Sequence, residues 1–568
     1  MSLASWRCQR YDLPIMARSI LSGPFCFLPA ENPMSAIDIV TMRGTMPRVE
    51  PHLLSDEVAV IARDCHFDHG VISPLEDDAS AGVELPIVPT TLFHYGQHWF
   101  AWNKVVEVIR SPIAQDPYGR VYYTDGEYPK VTHAQIATGG SDKPTAWYRL
   151  GIPAPGVTVG IGAITPPVGG VDDDLTDDET RFYVDTFVTA MGEEGPPGPA
   201  SGKVNIGIPG SSVALMLSPP TTQNSNITKR RIYRSVSGGG LADYLLVAEL
   251  PIAQASFVDT RVDGELGAVL ETYDYTMPPD GMRGMCQMAN GMCAGFAGNS
   301  LYLCEPYLPY AWPEKYRLTT EHDIVAIAAI DTTLVIGTKG YPYLAQGVSP
   351  ASVTTQKLSQ LPQSCVSGRS MVAMDGVVLY ASPDGLVGIG ANGGQVVTEQ
   401  VITSKQWRAM KPETMRAWHH EGKYVAMTDT HAFIFDPKSG DLRELTNRWD
   451  AAVSDMESDS LYVAKGRNLQ IWRGGSASNG QLVWRSKRFM VPEGTSFSCC
   501  RLLAADIGQV GIKLIVDGEQ VMELAPGNLV PGAFRLPPVR GRFWQIEVFG
   551  TSVVSRITLA SSMAEIVN

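Results

Sequence analysis

Short apolar runs broken by turn residues organise this chain, and no helical period survives long enough to define an amphipathic helix. The pattern is densest between Asn290 and Ile389. There, residues 324–327, 334–337, 371–374 and 377–381 each have the length of one buried strand. Asp331-Thr332-Thr333, Asp375-Gly376 and Pro383-Asp384-Gly385 stand where hairpins would turn. Similar triplets recur around Leu303, Val335, Leu379, Val425 and Val463, with steps of 32, 44, 46 and 38 residues. A four-stranded propeller blade needs roughly 40–50 residues. The alternative is a β-sandwich with accidental internal likeness. The repeat selects an all-β propeller of about 5–7 blades.

Residues 1–33 precede the β-like pattern, which begins at Ile37, and read as an N-terminal extension, either unstructured or upstream of the true start. Residues 20–30 loosely imitate a signal peptide but contain Gly23 and Pro24 and lack a clean cleavage site. Residues 34–150 are expected to hold the first propeller strands and a blade. Ser55, Asp56 and Glu57 cap an expected short helix over 57–63, and 93–102 and 104–109 read as strands. Residues 119–126, around Tyr122, repeat the blade signature. A blade lying so early fits closure of the ring by strands from both ends of the domain.

Residues 151–275 change character, with Pro153, Pro155, Pro166 and Pro167 leading into an acidic run at 172–179. Tyr183, Phe187 and Val188 alternate with polar residues as in a half-buried strand. The run 183–190, the segment 192–199, Ile232-Tyr233-Arg234 and Phe257-Val258-Asp259 together resemble a fibronectin type III sandwich. Residues 276–490 carry the main blades. Residues 491–568 predict a small C-terminal β domain with Phe543, Ile546, Val548 and Phe549 in its core.

Composition narrows the function classes. A chain of 568 residues suggests about three or four folded units. Its 44% hydrophobic and 18% charged content is globular, and Gly 55 with Pro 40 suits many short strands. A net charge of −14 repels nucleic acid and anionic membranes over the surface as a whole. The nine cysteines form no C-x-x-C pair, which argues against zinc ribbons and dithiol redox motifs and for folding in a reducing cytoplasm. No run of 18 apolar residues occurs, so no membrane-spanning helix is expected.

Candidate chemistry is sparse. Cys65-His66-Phe67-Asp68-His69 has metal-ligand residue types, but Gly70 and Val71 point to a turn. His419-His420 precedes the Glu421-Gly422 turn and reads as a hairpin end. The acidic run 172–179 lacks the D-x-D-x-D-G order of a calcium loop and reads as a solvated loop. Ser382-Pro383-Asp384-Gly385 approaches a sialidase box without its Gly spacing or Trp. Trp312, in an aromatic segment spaced by prolines, fits a rigid connector between blades better than a ligand platform. No nucleophile elbow, phosphate-binding Gly-Lys loop or H-E-x-x-H motif occurs. No catalytic residue, cofactor or metal site is assigned. Acids paired in space for glycoside hydrolysis leave no local trace, and nothing favours them.

The chain as a whole resembles tail proteins of tailed bacteriophages, in particular the nozzle proteins at the distal end of short-tailed phages. The matching residues are 44–49 with Leu53-Leu54, 62–70 and Pro74, Glu193-Glu194-Gly195-Pro196-Pro197, and Pro278-Pro279 with Gly281-Met282. Others are Glu305-Pro306-Tyr307, Ala311-Trp312-Pro313, Gly340-Tyr341-Pro342-Tyr343, Cys365-Val366-Ser367, 382–386 and Leu559-Ala560-Ser561-Ser562. They cover about Ile37 to the C terminus. The resemblance implies a structural, non-enzymatic virion protein, made in the host cytoplasm and placed in the tail. It implies a homohexameric ring below the portal and adaptor, beside tail fibres or spikes, around a DNA exit channel closed until host contact. Genomic DNA would pass without specific binding. The competing expectations are a receptor-binding or glycan-cleaving tail propeller, and a component of a long tail.

Overall fold

The computed structural model describes residues 36–140, 143–171, 179–221, 224–236 and 243–567. It is an all-β chain in which seven units surround one axis. Six are four-stranded sheets, and five of these take all their strands from one stretch of chain. Blade 2 is Glu107–Arg110, Val121–Thr124, Lys130–Thr132 and Tyr148–Arg149. Blade 3 is Arg283–Gln287, Cys293–Ala297, Ser300–Leu303 and Leu318–Thr319. Blade 4 runs from Ile324–Ile330 to Thr354–Lys357, blade 5 from Val372–Met374 to Gly393–Val396, and blade 6 from Arg416–His420 to Leu442–Glu444. Blade 7 takes Ala451–Asp455, Ser460–Lys465 and Asn468–Asn479, and its outer strand is Glu76–Glu84 from the other end of the chain. Blade 1 is the hairpin Thr91–Tyr95 and His98–Trp102. Arg110 closes the ring against it, donating to the His94 carbonyl at 2.8 Å and lying over the Phe93 ring.

The blades stack through apolar faces, since each interior strand is covered on both sides. Leu379, Tyr424 and Phe433 form one interblade core, and Val335, Val378 and Tyr380 another. Val335, Leu379, Val425 and Val463 all fall on second strands, as the repeat requires, and so does Tyr122. Leu303 does not. It ends the third strand of blade 3, whose second strand is Cys293–Ala297. That second strand reads CAGFA, too poor in large residues to declare itself beside the neighbouring SLYL.

The ends of the chain differ from the sequence expectation. Residues 58–63 are not a helix but the strand Val58–Arg63, paired with Arg43–Thr45 and with Leu482–Ser486. The apparent cap at Ser55 is overridden by partners remote in sequence. The early strands Ala36–Ile39, Arg43–Thr45 and Val58–Arg63 therefore belong to the C-terminal β-sandwich and not to the propeller, and so do residues 482–490. Its core joins Ile37 and Ile39 to Trp484, Ile512, Trp544 and Leu559. Ile546 and Val548 are in that core as expected, but Phe543 and Phe549 are half-buried beside Arg542 and Lys513. Residues 93–102, expected as one strand, are two, turning at Gly96 where φ is +57°.

One eleven-stranded sheet joins propeller to sandwich. Blade 6 ends on Leu442–Glu444, whose next neighbour is Arg43–Thr45, followed by Val58–Arg63 and the sandwich strands. The added strand occupies an edge that would otherwise expose unpaired backbone groups.

The stretch 152–275 is a two-layer sandwich. One sheet is Gly160–Thr165, Ser212–Met216 and Ser256–Asp259; the other is Tyr183–Thr189, Ile227–Ser235 and Tyr244–Pro251. Tyr183–Thr189 is buried along its whole length instead of on alternate residues. Its polar members are partly paired: Asp185 Oδ2 meets Arg230 at 3.1 Å and Thr186 donates to Glu194 at 2.6 Å, while Asp185 Oδ1 has no partner among the described residues. The proline-rich edge beside it donates from Gly195, Gly198 and Ser201, at 3.0, 2.9 and 2.8 Å. Residues 172–178 of the acidic run lie outside the described residues, as do Cys8, Cys26 and the extension 1–33. Among the described residues no helix is long and apolar enough to cross a membrane.

Candidate functional site

Two irregularities shape a cleft beside the propeller–sandwich joint. Strand Asn468–Asn479 loses register with Glu76–Glu84 between Ile471 and Gly475, and Arg473 there adopts φ +55°. A bulge of this kind re-aims a side chain out of the ladder. Opposite it, the chain turns at Asp64, φ +51°, directly after the sandwich strand Val58–Arg63. Between them lies a cleft of about 370 Å³ lined by Asp64, Leu75, Glu76, Asp77, Asp78, Thr446, Trp472 and Val483. Leu75 and Trp472 also wall a smaller cavity of about 30 Å³ that holds His66, Asp68, His420, Glu421, Lys423, Arg443 and Arg473.

The floor is aromatic. Trp472 is buried, with ring centroids 5.9 Å from Trp449 and 5.2 Å from His420. Above it the charges are largely paired. Arg473 spans blades 6 and 7, reaching Glu76 at 2.8 Å and Glu421 at 2.6 Å. Lys465 meets Asp78 at 2.7 Å, and Lys423 pairs with Asp436. Asp64 accepts from the Thr446 amide at 2.8 Å. Burial pushes the Glu76 carboxyl up, but the Arg473 hydrogen bond, a backbone hydrogen bond and the Arg473 charge together outweigh it and hold the group below the ordinary range. Asp436 behaves alike: burial raises it, and the Lys423 contact with the Lys438 and Ser439 amides together reverse the shift. Burial lowers His420, against the opposing pull of Glu421. Arg443 is 5% exposed; it donates to the Cys65 carbonyl at 3.2 Å while its Nε has no partner among the described residues.

A hydrolytic acid pair needs one carboxyl raised toward neutrality and a second left ionised. Glu76 and Asp436 are both shifted down. The ion pairs tie blades 6 and 7 to each other, and the Asp64–Thr446 and Arg443–Cys65 contacts hold the segment after the sandwich strand against blade 6.

The structure brings together residues that the sequence presented separately. His66, on the short strand Cys65–His66, and His420, at the end of Arg416–His420, face the same small cavity. His66 Nδ1 lies 2.6 Å from Asp68 Oδ2. His69 is not with them in that lining; it sits in a tight turn at φ +60°. Cys65 is buried, which pushes its thiol up to about 12. No group of three metal-ligating side chains occurs among the described residues. Trp312 is core: 1% exposed, it donates to the Pro309 carbonyl at 2.7 Å. Ser382 closes its own turn onto Gly385, and Asp384 pairs with Arg408 at 2.6 Å. Arg473 and Asp64 were not singled out from sequence. The pair Gly474-Gly475 inside a strand pattern was the available signal for the bulge.

No protein-family model matches the chain, and no curated protein matches it. Solved structures with some likeness include the extracellular domain of BT4673 from B. thetaiotaomicron. It is 10% identical, with 87% of this chain and 59% of that chain covered and a TM-score of 0.22. The Neurospora crassa Pan2 WD40 domain is 8% identical over 64% of this chain and 88% of that chain, TM-score 0.25. Saccharomyces cerevisiae Sqt1 is 10% identical over 61% and 92%, TM-score 0.24. At these scores the propeller assignment rests on the strand pairings of the chain itself.

Proposed function

We propose that this chain is a structural protein of a phage tail, a nozzle subunit that assembles as a homohexameric ring around the DNA exit channel. It would sit below the portal and adaptor, beside fibres or spikes, and close the channel until the host is met. The observation that supports this reading is the continuous sheet from blade 6 into the sandwich. A subunit that must transmit load gains from domains joined by backbone hydrogen bonds, because such a joint cannot hinge without breaking a strand pair. The sandwich strands before residue 66 and the blade 7 strand Glu76–Glu84 reinforce the same joint. The work is then steric and electrostatic, with no bond made or broken.

Charge supports the DNA part of the proposal. Each subunit carries −14, so a ring of six has a strongly acidic total that lets a duplex slide. Light scattering with negative-stain imaging tests the assembly. A six-fold ring is expected; a monomer or trimer at all concentrations would favour a receptor-binding or glycan-cleaving propeller instead. Binding of the isolated ring to duplex DNA across a salt series tests the channel. Tight association at low salt that falls steeply as salt rises would mean a basic lumen and overturn the sliding account.

A further inference from the structure

Within a single subunit, the propeller axis carries a charge arrangement that the assembly does not use. Each blade begins at the axis and ends at the rim, so the lead-in to each inner strand returns to the axis at one end of the ring. Arg369 lies in the lead-in to blade 5, and its Nη2 donates to the Thr90 carbonyl at 2.9 Å, in the lead-in to blade 1. Blades 5 and 1 are not neighbours, so this hydrogen bond crosses the mouth of the central channel. Arg416, the first residue of the blade 6 inner strand, stands against the same turn and donates to the Trp449 carbonyl at 2.9 Å. Its Nε is buried without a partner among the described residues. Neither guanidinium forms a salt bridge to a described carboxylate; Arg448, Asp450 and Asp429 lie near enough to act on Arg416, Arg448 the most strongly.

We propose that Arg369 and Arg416 hold a phosphate-type oxyanion at the mouth of the propeller channel. A guanidinium has five N–H donors, and a bidentate fork onto one acceptor group uses two of them. Two guanidiniums, each with one hydrogen bond to a carbonyl, offer donors from two directions, which a tetrahedral oxyanion can accept. Burial and the like charge of Arg416 push Arg369 down to about 10, a cost that a bound anion would remove. This inference is independent of the ring assembly.

The test uses the full chain and inorganic phosphate as probe, with sodium chloride at matched ionic strength as control. Phosphate should raise the melting temperature and broaden the phosphate ³¹P resonance, and sulfate should compete. In the Arg369→Met, Arg416→Met double variant both effects should vanish while circular dichroism stays unchanged. If that variant does not fold, the ³¹P broadening of the wild-type protein and its reversal by sulfate decide alone. An equal phosphate effect in the folded double variant, or no effect in the wild type, overturns the site. Displacement of phosphate by a short duplex would assign the phosphate to a nucleic-acid backbone. Failure of the duplex to compete would assign a free oxyanion.

Discussion

Arg473 allows two opposing effects at the junction of blades 6 and 7 to be separated. Replacing it with Met removes the 2.8 Å pair to Glu76 and the 2.6 Å pair to Glu421, while a flexible apolar chain still covers Trp472. Glu421 is 57% exposed, so its share is only about 0.2–1 kcal/mol. Glu76 is 34% exposed and Arg473 17%, and a charged hydrogen bond of this partly buried kind contributes about 1.5–2 kcal/mol. Arg473→Met should therefore cost about 2–3 kcal/mol by summing these. Arg473→Gly loses the same pairs but relieves the left-handed backbone at φ +55°. That relief is about 1 kcal/mol net of the extra freedom of glycine in the unfolded chain. Glycine should thus be the milder substitution. Urea unfolding followed by tryptophan fluorescence is the suitable assay, because Trp418, Trp449 and Trp472 cluster beneath this residue. If glycine is at least as destabilising as methionine, the strain argument fails; if methionine costs nothing measurable, the ion pairs are ornamental. The pH dependence gives a second check. Glu76 has a depressed folded pKa, so its stabilisation is present above the unfolded value near 4.5 and is lost as pH falls through the folded value. That acid-side loss should shrink in Arg473→Met.

Arg234 is fully buried with Asp259 at 2.7 Å, so Arg234→Met leaves a buried carboxylate with only Tyr183, Arg181 and an amide, and the inserted sandwich should lose about 3 kcal/mol by calorimetry. Excising 152–275 and closing with a short Gly/Ser linker should leave the propeller folded, because Gly151 already abuts Met277 and Pro278; insoluble protein would show the insertion to be part of the core. Trp544→Ala, at a 0% exposed site in the sandwich core, should cost about 3–5 kcal/mol in chemical denaturation. A loss below about 1 kcal/mol would mean that the core collapses around the cavity.

Strands with local signatures were legible. Val377–Ala381 lies between Asp375-Gly376 and the Pro383-Asp384-Gly385 turn, Leu386–Gly390 follows that turn, and both turns close antiparallel hairpins. What failed depended on distant partners. Val58–Arg63 reads as a capped helix until Leu482–Ser486, some four hundred residues later, supplies its ladder. The C-terminal sandwich was half visible for the same reason, since Ala36–Ile39 completes it from the opposite end of the chain. In the candidate site the individual side chains were visible but their meeting was not. His66 and His420 share a cavity because blade 6 and the sandwich share a sheet, which no spacing within either segment encodes.

The inserted sandwich shows the same logic of attachment by polar contacts at a buried seam. Arg120 of blade 2 is 7% exposed and holds Asp116 at 2.8 Å and Glu193 of the insertion at 2.6 Å. Burial raises the Glu193 carboxyl while Arg120 draws it down, and the net shift is upward, so the triad is held at a desolvation cost. A hydrophobic contact of equal area would tolerate sliding, whereas a guanidinium forked onto one carboxylate and reaching a second fixes direction. At both joints the chain thus uses directional contacts: backbone pairing between blade 6 and the C-terminal sandwich, an arginine triad between blade 2 and the insertion. A protein working alone as a flexible receptor binder has little use for either. Under the proposed nozzle role, a subunit holding one shape against identical neighbours would use both.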